Sequence, residues 1–163
     1  MKSLIASITI LGLVGMVVGV VAQGASTDTV TATVTPQTVS VTVDIESVDY
    51  GVLDMSETSA PSAVITATNS GNVTEKLEIK GSDSTNWTLS PSAVGANTFM
   101  HEFATDDDSY ASYTALNNTT YDTLDTSVVE SGTQLFKLQL KMPSSTTNTE
   151  TQSTTITVLA TEV

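Results

Sequence analysis

Residues 63–80 read AVITATNSGNVTEKLEIK and hold the strongest structural signal in the chain. Two runs rich in threonine and β-branched residues flank the tetrapeptide at residues 69–72, NSGN. Threonine, valine and isoleucine are stiff at χ1 and fit a pleated surface. Asparagine, serine and glycine in a cluster are typical of a turn, in which Gly71 or Asn72 can take a positive φ. The stretch therefore predicts a strand, a tight turn and a second strand.

The same two-residue alternation of apolar and polar residues recurs along the chain, clearly in residues 39–45, 134–141 and 153–160. Clusters of turn-forming residues separate the runs. Shorter candidate strands lie at residues 48–53, 63–68, 73–80, 87–89, 98–103 and 113–116. The pattern predicts an all-β fold, a single antiparallel β-sandwich of the Ig-like or jelly-roll-like kind. Its core is expected to be anchored by four aromatic residues: Trp87, Phe99, Phe103 and Phe136.

The N-terminus has the three parts of a secretory signal. Lys2 supplies the positive charge, an apolar run follows, and small residues precede a plausible cleavage site before Gln23. We therefore expect residues 1–22 to be a signal peptide and the protein to be secreted or at the cell surface. The apolar run is nearly long enough to span a bilayer, so a retained apolar helix is the alternative. Contact with a membrane is expected only through this segment before cleavage.

The remaining chain is predicted to comprise an N-terminal extended region, residues 23–45, and a sandwich domain, residues 46–163. In the first region two Thr/Val segments, residues 27–35 and 38–45, flank Pro36. Proline lacks an amide donor and fixes φ, so it separates the two segments.

Because Pro36 interrupts the extended region, residues 27–35 are predicted to detach as a β-strand and pair with the open edge of a neighbouring copy. Val30, Ala32 and Val34 would fill alternate pockets there. A head-to-tail contact of this kind does not close and builds a filament, a homopolymer of the chain. Pairing of the same strand within its own sandwich is the alternative.

Charge and cysteine content exclude several classes of function. All 18 acidic residues follow residue 22, where they meet only four lysines and no arginine, a formal charge of −14. Nucleic-acid binding needs clustered lysine and arginine, and anionic lipid requires the same, so neither partner is expected. The chain has no cysteine, so burial and backbone pairing must stabilise its core.

The sequence lacks the sets of metal-ligating or nucleophilic residues that common catalytic mechanisms require. His101 and Glu102 begin as a zinc-protease helix would, but the chain has no second histidine to complete the ligand pair. With one histidine and no cysteine, a nucleophile–base relay also has few candidates. We predict that the protein is not an enzyme and needs no organic cofactor.

Calcium is the one possible cofactor, because the chain offers carboxylate oxygens as ligands. Asp106, Asp107 and Asp108 form a run with Glu102 upstream, and carboxylate oxygens suit Ca²⁺. The run lacks the spacing of an EF-hand loop, and consecutive aspartates are more often simply solvated.

Two further motifs are short. The glycosylation sequon N-x-S/T occurs at Asn72, Asn86, Asn117 and Asn118, and it is relevant only in a host that glycosylates surface proteins. Residues 87–89, WTL, match the WxL tripeptide of Gram-positive wall-binding domains, but no second such motif lies near the C-terminus. Packing of Trp87 in the core is the preferred interpretation.

The signal peptide, the Thr-rich first strand, the absence of cysteine and the TNSGN hairpin together resemble secreted fibre subunits of the TasA/camelysin-like family and of archaeal bundling pili. The resemblance covers the whole chain in architecture and implies a structural subunit that polymerises. Camelysins are often labelled metallopeptidases, an activity that the single histidine does not support.

The sequence thus favours a subunit of an extracellular filament that donates its N-terminal strand to the next copy. One alternative is a type IV pilin-like subunit with a retained N-terminal helix. Its n-region would be very short, and the β pattern begins soon after residue 22. The other alternative is a monomeric cell-surface module that binds a wall polymer or a protein partner.

Overall fold

A computed structural model describes residues 27–163. The predicted signal peptide, residues 1–22, and the predicted cleavage site before Gln23 lie outside these residues. The chain divides into two units, one ending at Thr35 and the other running from Pro36 to Val163. Within residues 27–163 we find no helix of the length and apolar character that crossing a membrane requires.

The second unit is a β-sandwich of nine strands. Their bounds are β1 Val41–Val43, β2 Ile65–Asn69, β3 Glu75–Lys80, β4 Thr88–Leu89, β5 Thr98–Thr105, β6 Thr114–Ala115, β7 Asp122–Val128, β8 Thr133–Lys141 and β9 Thr157–Glu162. The larger sheet has the order β1-β2-β8-β5-β4, with β6 also pairing with β5, and the smaller sheet has the order β7-β3-β9. Only β4 and β5 pair in parallel among these strands. The predicted antiparallel sandwich is confirmed.

The core lies between the two sheets, where alternate residues of each strand meet. Leu77 and Ile79 of β3 and Phe136 and Leu138 of β8 are buried there, while the residues between them are more exposed. The predicted aromatic core is confirmed, because all three phenylalanines are buried and the half-buried Trp87 packs against the same cluster.

Several strands differ from the sequence prediction. The segment 39–45 is a strand only over Val41–Val43, and residues 48–53 form no strand. Because β1 pairs with β2, the sandwich unit includes residues that the sequence assigned to the N-terminal extension. The prediction missed β7, since Leu124 and Val128 are its only buried residues and the rest are polar. Two inward residues in seven do not give a two-residue period.

The turn between β2 and β3 is built differently from the prediction. Neither Gly71 nor Asn72 has a positive φ. Buried Asn69 organises the turn instead: its Nδ2 donates to the carbonyls of Val73 at 2.7 Å and Val128 at 2.9 Å, and its Oδ1 accepts from the Gly71 amide at 2.9 Å. A side chain that bonds the backbone two residues ahead replaces the left-handed conformation.

Gly71 is required for space. A Cβ at this position would overlap both the carbonyl oxygen of Thr38 and the carboxylate of Glu75. Glycine is therefore needed at residue 71 because the neighbouring chain approaches it closely.

We predict that Gly71→Ala lowers the free energy of unfolding by roughly 1–3 kcal/mol, the usual cost of overpacking. Gly95→Ala is the matched control, because its added Cβ would lie 3.6 Å from Thr98, an ordinary contact. Urea unfolding of the two variants beside the unaltered chain measures the difference. Equal midpoints for the two variants would contradict the packing argument.

Candidate functional site

An apolar groove of about 430 Å³ opens between the two sheets of the second unit. The larger sheet supplies its floor, and β9 with the residues preceding it supplies one wall. The principal apolar and aromatic residues that line it are Val43, Ile45, Val48, Tyr50, Ile65, Trp87, Phe99, Phe136, Leu138, Leu140, Ile156 and Val158. The groove is large enough for several side chains of a partner.

The groove lies where each sheet has an edge strand. In the described chain β9 pairs with β3 on one side only, and β1 pairs only with β2. Ile156, Val158 and Ala160 pack on the core yet are only half-buried. A core face left half-covered beside an unpaired strand edge is a surface to which another strand can add.

His101 and Tyr50 form one polar feature of the groove, which Glu46, Gln152 and several serines and threonines also line. His101 is 3 % exposed, and its Nε2 lies 2.8 Å from the hydroxyl of Tyr50, whose ring meets the imidazole edge-to-face. Its Nδ1 is buried and has no hydrogen-bond partner among the described residues. Burial lowers the pKa of His101 to about 4. Burial also raises the pKa of Tyr50, with a smaller contribution from Tyr113, so both groups are neutral at pH 7.

A catalytic relay would need a nucleophile beside the histidine and a third group to orient it. His101 has Tyr50 as its hydrogen-bond partner, and its other nitrogen has none in residues 27–163. Tyr50 thus fixes the orientation of the His101 ring.

The sequence places His101 only in an incomplete zinc motif and does not predict that it lines a groove. Strand β5 shows that Phe99, His101 and Phe103 alternate on one buried face. That alternation is visible in residues 98–103 and was the available signal for an inward-facing histidine.

The predicted polymerisation strand belongs to the first unit. Residues 27–35 have no strand pairing within the described chain. Val30 and Val34 are 96 % and 90 % exposed, and Ala32 is exposed as well. Three apolar side chains at alternate positions thus remain in solvent.

The predicted calcium ligands do not come together. Glu102 is buried on β5 and pairs with Lys141 at 2.8 Å, whereas Asp106, Asp107 and Asp108 form an exposed 3-10 helix beyond the end of that strand. No group of three or more possible metal-ligating side chains is gathered anywhere in residues 27–163.

Two of the three aspartates line a second cleft. Asp107 and Asp108 border it with Asp122 and Asp125 of β7. Asp108 also accepts the amides of nearby residues, chiefly Ser112, and these hydrogen bonds lower its pKa. The carboxylate of Asp108 therefore stabilises its own turn.

The four sequon asparagines occupy different environments. The side chain of Asn72 bonds to the backbone of residues 36–38. Asn86 is exposed and lies near Gln152. Asn117 and Asn118 are half-buried, and Asn118 donates to Asp83 at 3.0 Å.

Residues 87–89 have packing roles. The Trp87 ring lies 6.3 Å from that of Phe99, and its Nε1 donates to the hydroxyl of Thr146 at 2.9 Å. Leu89 is buried. Trp87 and Leu89 of the WTL tripeptide therefore pack with the core, and Trp87 also lines the groove.

No family model matches the chain, and no curated protein or solved structure is detectably similar to it.

We predict that His101 makes stability depend on acid. Its pKa in the folded chain, about 4, is below its ordinary value of 6.5. Unfolding therefore takes up a proton as the pH falls from above 6.5 toward 4, and stability declines over that window. The histidine contributes a loss of roughly 2–3 kcal/mol between pH 7.5 and pH 4.5.

Urea unfolding at both pH values measures this loss. His101→Leu is the control: it removes the titrating group but leaves every carboxylate, so the difference in pH dependence between the two chains belongs to His101. An unchanged dependence in His101→Leu would contradict the assignment.

Proposed function

We propose that this protein is the structural subunit of a secreted, extracellular filament. In each contact, residues 27–35 of one copy enter the groove of the next copy and add a strand beside β9. The subunits join head to tail without covalent chemistry, enzymatic activity or a required cofactor. The observation that carries the proposal is an open apolar groove beside an unpaired strand edge, in a chain whose own Thr/Val segment leaves its apolar side chains in solvent.

The lengths of the two elements support this occupant. Residues 27–35 span about 30 Å when extended, and the six residues of β9 span about 20 Å. A paired donor strand can therefore cover the whole edge of β9. Its main-chain hydrogen bonds would give affinity, and Val30, Ala32 and Val34 would enter the groove.

Charge also favours this segment. The chain after residue 22 has a formal charge of −14, so two copies repel each other at most surfaces. Residues 29–35 contain no charged residue, and Asp28 is the one charge in the segment. The uncharged segment can enter an apolar groove without burying an unpaired carboxylate.

We predict that filament formation depends on one face of the segment. Val30→Asp with Val34→Asp should abolish filaments, because each carboxylate would have to be buried in the groove. Thr31→Asp with Thr33→Asp adds the same charge to the opposite face and should preserve them. Negative-stain electron microscopy of chains beginning at Gln23 measures the outcome.

A chain beginning at Gln37 is the second control, and it should remain monomeric with the circular dichroism of a folded β protein. Filaments from the double valine variant, or equal loss in both double variants, would contradict insertion of the apolar face. Monomers from the unaltered chain as well would contradict the filament and favour a monomeric surface-binding module.

A further inference from the structure

Residues 36–40, directly after the proposed donor segment, are held by the turn between β2 and β3. Asn72 makes three of the bonds. Its Nδ2 donates to the carbonyl of Pro36 at 2.9 Å, its Oδ1 accepts from the Thr38 amide at 2.7 Å, and its own amide donates to the Thr38 carbonyl at 3.0 Å. Both polar ends of one side chain are therefore used on this short segment.

Three more bonds hold Ser40. Its amide donates to Oε1 of Glu75 at 2.7 Å, its carbonyl accepts from the Ser70 amide at 2.8 Å, and the two serine hydroxyls lie 3.0 Å apart. Glu75 is 0 % exposed, so its carboxylate is a fixed acceptor inside the sandwich.

Hydrogen bonds are the main attachment of this segment. Residues 36–39 are exposed and belong to no strand, and Val39 is 40 % exposed. Apolar burial therefore contributes little to holding them. The close approach of Thr38 also explains why residue 71 has no room for a side chain.

We propose that Asn72 and Glu75 are positioning residues that fix the donor segment to its own sandwich and transmit tension along the filament. The inference rests on the proposed function. In a head-to-tail filament each donated strand is joined to its own subunit only through the residues that follow it. Any pull along the filament therefore passes through residues 36–40 before it reaches the sandwich.

Two variants weaken this attachment from opposite sides. Asn72→Ala removes the side-chain bonds to Pro36 and Thr38. Thr38→Pro removes the amide that donates a hydrogen bond to Asn72 and leaves the nine strands unchanged, so it remains informative if Asn72→Ala fails to fold. Asn118→Ala is the matched control, since that asparagine donates to Asp83 and lies in another loop.

The experiment uses chains beginning at Gln23, and for amide exchange these also carry Val30→Asp with Val34→Asp, which should keep them monomeric. Amide exchange of the monomers should be roughly tenfold faster at Ser40 in both variants, with the core of β8 unchanged, as expected for loss of about one net hydrogen bond. Filaments of both variants should still form, and controlled shear should shorten them several-fold more than unaltered or Asn118→Ala filaments.

Variant filaments as long after shear as the unaltered ones would overturn this inference alone, as would unchanged exchange at Ser40. No filaments from the unaltered chain would overturn the proposed function, and the inference with it.

Discussion

The smaller sheet is three strands wide in the described chain, and this width determines how much of the core it covers. A sheet ending at β9 does not cover the inner face of the larger sheet, so apolar residues along that side stay half-buried. The same edge presents backbone groups that pair with nothing else in residues 36–163. An unpaired edge beside an uncovered core is an aggregation hazard unless a defined partner fills it. We infer that the groove is where this protein meets another copy of itself.

One short stretch, residues 69–75, serves both the fold and the attachment of the N-terminal segment. Asn69 shapes the turn from inside, while Asn72 and Glu75 reach across to residues 36–40. Gly71 lets the two pieces of chain approach closely. The chain has no cysteine, so these side-chain hydrogen bonds attach the segment without a disulfide.

The sequence predicted the strands whose two-residue alternation reflects burial on one face. Strand β8 is the clearest case, with Phe136 and Leu138 inward. It could not predict β7, whose few apolar residues give no period, or the end of β1 at Val43. The groove could not be predicted from the sequence either, because it depends on which strands lie at the edges of the two sheets. Sequence spacing grouped Glu102 with Asp106, whereas the strand pairing places Glu102 against Lys141.

Disulfide cross-linking can show whether the N-terminal segment of one copy lies beside β9 of another, since the chain has no cysteine of its own. One copy would carry Ala32→Cys, and the other Val158→Cys in the wall of the groove or Ala160→Cys further along β9. Strand donation predicts disulfide-linked pairs between the two copies, and far fewer when the second cysteine replaces exposed Ser127 of β7. Equal cross-linking to Ser127→Cys, or none to β9, would contradict strand donation into this groove.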